Sequence, residues 1–182
     1  MKTTMILAST ALDHAPPWLV DAISLFREVG QRIYVAAPLS GDGQWWRARL
    51  GAEGLLPLWG GQSAWATLLN SYRVSHWARG WRPECYLSLD PLAALAAHSG
   101  RGRSGGYGLS VLWLDNPPRG WLATHAFREA DRLIVDRHEL ATQLIAHHHA
   151  RGGDLTVLPN GSAAPLVAQC MAFFDEPPGV LG

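Results

Sequence analysis

An excess of either charge is missing from this sequence. Fifteen Lys and Arg balance fifteen Asp and Glu across 182 residues, so the formal net charge is zero. A neutral chain lacks the basic footprint that neutralises phosphates, and no nucleic-acid partner is expected. Cysteine is scarce. Cys85 and Cys170 are far apart and stand in no paired motif. They read as buried free thiols, which suits a cytoplasmic protein better than a disulfide-stapled one. Long apolar runs are missing as well. No segment holds 18 uninterrupted apolar residues, and the opening MKTTMILAS is too short for a secretory h-region or a membrane span. It reads as a buried first strand.

Several motifs are absent. Gly-x-x-x-x-Gly-Lys does not occur, and no Gly-x-Gly-x-x-Gly follows the first strand, which weakens nucleotide and dinucleotide readings. No cofactor is expected. No metal is expected either, although His147-His148-His149 invites one. Successive helix positions point about 100° apart, so the three rings cannot converge on a single ion.

What is present is apolar: 48% of the residues, enough for one domain with a full core. Short apolar runs predict strands over residues 4–9, 32–37, 55–58, 85–88, 110–114, 132–136 and 155–158. Most are continuous rather than alternating, as expected for a parallel sheet covered on both faces. Helices are predicted over 18–29, 63–79, 91–99, 121–130 and 138–151. Pro16 and Pro17 suit the first helical turn, Ser63 suits a cap, and Gly30 suits a stop. The glycine-rich stretches 40–44 and 99–108 read as loops. The fold class is therefore α/β: a Rossmann-like three-layer sandwich, with a mostly parallel sheet of about seven strands and helices on both faces.

The segment ADRLIVDRHELATQLIAHHHARGGDLTVLPNG, residues 130–161, carries a resemblance. A small residue and Asp, a strand, a helix, and a strand closing in Pro-Asn-Gly resemble the end of the N-terminal domain in retaining GT-B glycosyltransferases. Ala36-Ala37-Pro38, Arg82-Pro83-Glu84 and Asp90-Pro91-Leu92 fit the same pattern. The resemblance implies an N-terminal, acceptor-side domain over residues 1–162, with 163–182 leading toward a second domain. It implies transfer of a sugar from a nucleotide-sugar donor to a glycan or lipid-linked acceptor, with the donor held mainly by the second domain. The chain alone is then expected to be inactive.

The departures from the family pattern are specific. The first loop has no glycine pair, and the fifth strand ends Trp113-Leu114-Asp115-Asn116 instead of in His. Asp136-Arg137 stands where the family often has Ser, and no two glutamates are spaced eight apart. These losses motivate the alternative: a non-catalytic glycan- or protein-binding module derived from a transferase half.

In an open α/β sheet, ligands sit outside the carboxyl ends of the strands. That rule selects loop residues. Asp115 is the candidate catalytic group, a base or an orienter of an acceptor hydroxyl, against its reading as a turn residue before proline. Asp13, His14, Asp90, Asn116, Asp136, Arg137 and Asn160 are the candidate substrate-binding residues. The competing readings are a helix cap for Asp13, a surface residue for His14, and an exposed residue opening a helix for Arg137. Nine tryptophans can stack on sugars or pack the core. Trp45-Trp46-Arg47-Ala48-Arg49-Leu50 suits a peripheral membrane contact, or a short packed helix. The aromatic surface also suits a homodimer.

Overall fold

The computed structural model describes residues 2–10, 17–38, 54–61, 63–106, 108–158 and 162–175. The elements run β1 (Thr3–Leu7), α1 (Pro17–Glu28), β2 (Arg32–Pro38), β3 (Leu55–Leu58), α2 (Ala64–Trp81), β4 (Cys85–Ser88) and α3 (Pro91–Arg103). Then follow β5 (Leu109–Leu114), α4 (Gly120–Glu129), β6 (Arg132–Val135), α5 (His138–His148), β7 (Leu155–Val157) and α6 (Ala164–Asp175). All seven predicted strands form, and every pairing is parallel in the order β3-β2-β1-β4-β5-β6-β7. Pro57 lies in β3, where an edge strand tolerates its missing N–H.

Alternate strand residues point to opposite faces, and each face is covered. Ile6, Val35, Leu87, Val111 and Ile134 pack under Leu19, Ile23 and Phe26 of α1 and Leu166, Val167 and Cys170 of α6. On the other face, Met5, Leu7, Leu56 and Tyr86 meet α2 and α3. Leu112, Leu114, Leu133 and Val135 meet α3, α4 and α5. Two covered faces explain why the strands read as unbroken apolar runs.

Local signals set most boundaries. Ser63 Oγ accepts the Ala66 N–H at 3.1 Å and caps α2. Gly30, with φ of +79°, turns the chain out of α1 in the left-handed region. Three features differ from the sequence expectation. The stretch 99–108 is not all loop, because α3 continues through Gly100 and Gly102 to Arg103. Gly100 is required there: a Cβ would come within 2.6 Å of Val74 in α2. The helix predicted over 138–151 stops at His148, where His149 turns left-handed and its N–H bonds Leu144 O. Residues 164–175, for which no element was predicted, form α6.

Polar ties gather at the N-terminal ends of the strands. Arg101 at the end of α3 pairs with Asp131 and donates to Gly108 O at 2.7 Å. The same Asp131 oxygen accepts the Ser110 N–H at 2.7 Å. Arg132 binds Asp154 at 2.6 Å.

Candidate functional site

The strand order reverses between β1 and β4, and at such a point the two outgoing loops part and leave a crevice. Asp90 stands there. One carboxylate oxygen accepts the Ala93 N–H at 2.9 Å and caps α3. The other accepts the Ser9 N–H at 2.7 Å and holds the chain leaving β1. Both oxygens of this predicted binding residue thus already serve the backbone.

Two strands further on, three predicted residues meet. Arg137 reaches back from the start of α5 and donates to the Asp115 carbonyl, while its Nε lies 3.3 Å from Asp136 Oδ1. Asp115, Asn116, Asp136 and Arg137 are all exposed. The Asp115 carboxylate has no hydrogen bond or ion pair among the described residues, so it is open to a ligand. Asp13, His14 and Asn160 lie outside the described residues, as does Trp45–Leu50 of the sequence reading.

Sequence reasoning did not single out a group of donors near the same end. Trp18, opening α1, and Trp113, near the end of β5, bring their rings to 5.5 Å at a 52° tilt. Among the described residues, neither buried indole N–H has a hydrogen-bond partner, and neither has the Ser88 hydroxyl at the end of β4. Buried donors without partners are costly. No sequence motif marks them; only the positions at strand and helix ends do.

Other candidates lie elsewhere. Gly102-Arg103-Ser104-Gly105-Gly106 spells Gly-x-Ser-x-Gly. Ser104, however, ends a helix and donates to Arg101 O at 2.9 Å, whereas a nucleophile elbow needs a strand running into a helix. A cleft of about 230 Å³ is lined by Leu109, Arg132, Leu166, Gln169 and Cys170. It opens at the N-terminal ends of β5 and β6, away from the strand tips. No group of three or more metal-ligating side chains occurs among the described residues.

No family model and no curated protein matches the sequence. Solved structures match the fold. The lipopolysaccharide outer core galactosyltransferase WaaB aligns with TM-score 0.64 and 13% identity, over 85% of this chain and 44% of its own. A glycosyltransferase from Rickettsia africae aligns with TM-score 0.63 and 9% identity, over 97% and 51%. A UDP-N-acetylglucosamine 2-epimerase from Rickettsia bellii aligns with TM-score 0.63 and 14% identity, over 94% and 48%. The chain therefore shares the Rossmann-like fold of GT-B-type proteins and spans about half the length of the structures it matches.

Proposed function

We propose that this chain is the acceptor-side half of a GT-B glycosyltransferase. In this reading it moves a sugar from a nucleotide-sugar donor to a glycan or lipid-linked acceptor, and a second domain supplies the donor site. Residues 1–162 form the acceptor-side body, and 163–182, whose helix α6 packs against that body, lead toward that partner domain. The observation that carries the reading is the half-length match to two glycosyltransferases together with an open polar rim at the strand tips. In this reading Asp115 orients or deprotonates an acceptor hydroxyl. Asp136, Arg137 and Asn116 line the same rim, and Asp13, His14 and Asn160, which lie outside the described residues, complete the proposed binding set. Asp90 acts by shaping the first loop. Departure of a nucleoside diphosphate needs a preorganised positive clamp, and Arg137 on this rim is held beside Asp136. The isolated chain is therefore expected to bind acceptor and not to turn over.

Thermal-shift titration of the 182-residue chain against oligosaccharides, nucleotide sugars and free nucleotides tests this. Stabilisation by saccharide that Asp115→Ala and Arg137→Ala weaken, without turnover, is the expected result. Sugar transfer by the chain alone, or tight nucleotide binding without any saccharide response, overturns it. Saccharide binding by a chain that a donor domain never activates would instead favour the non-catalytic module.

A further inference from the structure

Four large apolar side chains in the N-terminal half of α2 point away from the core, whereas Val74 and Trp77 further along pack against it. Its buried face is made of Ala66, Asn70, Ser71, Val74, Ser75 and Ala78. Its outer face carries Trp65, 73% exposed, with Leu68, Leu69 and Tyr72. The spacing i, i+3, i+4, i+7 sets these four on one side of the helix. A surface helix ordinarily turns such a stripe inward. Here the close approach of α3 at Gly100 leaves the inner face to Ala, Ser, Asn and Val side chains. Trp59, 52% exposed, extends the stripe. The Asn70 side chain anchors it, bonding its backbone N–H at 2.8 Å and its carbonyl at 3.0 Å.

Arginines rim the stripe. The Arg73 guanidinium lies 4.9 Å from the Trp59 ring centroid, and that of Arg103 lies 4.2 Å from the Tyr72 centroid. Among the described residues these cations meet only neutral oxygens: Pro57 O for Arg73, Ser71 Oγ for Arg103, and Arg103 O for Arg79. Residues 54–83 contain no Asp or Glu, and neither does α3.

We propose that this face of α2 docks on an anionic phospholipid bilayer. Trp and Tyr favour the depth of the headgroups, and the leucines enter the acyl boundary as in interfacial helices. The arginines meet lipid phosphates. A second copy of the chain fits less well, because two-fold pairing of this face sets arginine against arginine with no nearby carboxylate between them. The N-terminal half of α2 follows the tip of β3, on the same end of the sheet as the candidate site. The inference rests on α2 and its rim, and stands whether or not the transferase reading does.

Vesicle co-sedimentation of the purified chain tests it, using phosphatidylcholine vesicles with and without phosphatidylglycerol. Binding is expected to the anionic vesicles, roughly tenfold or more above pure phosphatidylcholine, and to weaken as salt rises. Arg79→Gln should weaken it about fivefold. The pair Leu68→Ser and Leu69→Ser should weaken it roughly tenfold or more, with an unchanged melting temperature because both side chains are exposed. Equal binding to both vesicle types, no binding, or full binding by the leucine variant overturns the proposal. So does a stable dimer that Leu69→Asp dissociates.

Discussion

The sulfurs of Cys85 and Cys170 lie 3.6 Å apart although 85 residues separate them in the chain. Cys85 belongs to the central strand β4 and Cys170 to the last helix, and both are buried and free. The gap is well beyond a disulfide bond of about 2.05 Å. The hydrogen bond with Cys170, and then burial, push the Cys85 thiol well above its ordinary range. A thiol kept protonated is a poor nucleophile. Alkylation of both cysteines in the native protein should run on the order of a hundredfold slower than in urea. Mass spectrometry of iodoacetamide-treated samples reads the difference.

The same contact makes α6 part of the core. Leu166 is 1% exposed against β5 and β6 residues. Leu166→Ala should cost about 2–4 kcal/mol, measured as a lower urea midpoint with an unchanged slope. A loss of only a few tenths would mean that the helix is an appendage.

Asp90 serves two backbone donors at once, Ala93 N–H and Ser9 N–H. Asp90→Ala removes a helix cap and a loop tether together and should cost about 2–3 kcal/mol. Asp90→Asn keeps one acceptor oxygen and should recover part of that. Thermal melts of the two variants, compared with wild type, separate this structural role from a binding role.

Burial raises the Tyr86 hydroxyl to a pKa of about 12, against the lesser lowering by the Ser104 hydrogen bond and Arg101. The folded state therefore holds this proton more tightly than the unfolded chain, whose tyrosines titrate near 10. The stabilisation is complete below about pH 10 and lost as pH climbs toward 12, amounting to roughly 2–3 kcal/mol. Urea midpoints measured across that range should fall, and Tyr86→Phe should flatten the fall.

Much of the architecture could be read in advance because burial on both faces leaves a simple trace. Strands such as 85–88 and 132–135 are apolar at every or nearly every position, and Gly30 and Ser63 punctuate them clearly. The last helix was legible in principle: Leu166, Val167, Cys170 and Met171 repeat at helical spacing. Its lack of charged residues before Asp175 hid the usual polar face. The pattern of α2 misleads in the opposite sense, since its bulky residues suggest a core-facing stripe and the packing against Gly100 inverts it. At the rim, sequence position alone brought out Asp115, Asp136 and Arg137, which meet. It could not show that Asp90 is already occupied, because hydrogen-bond partners 81 residues apart leave no local mark.

The ties of Asp131 to Arg101 and Ser110, and of Arg132 to Asp154, fasten one end of the sheet, while the described acidic residues at the other end, Asp90 apart, are exposed and hold little of the fold. The two ends consequently tolerate engineering unequally. Loops transplanted from another protein onto the Asp115 end should leave folding intact, whereas the same surgery around Asp131 should not. New recognition properties are best installed at the strand tips.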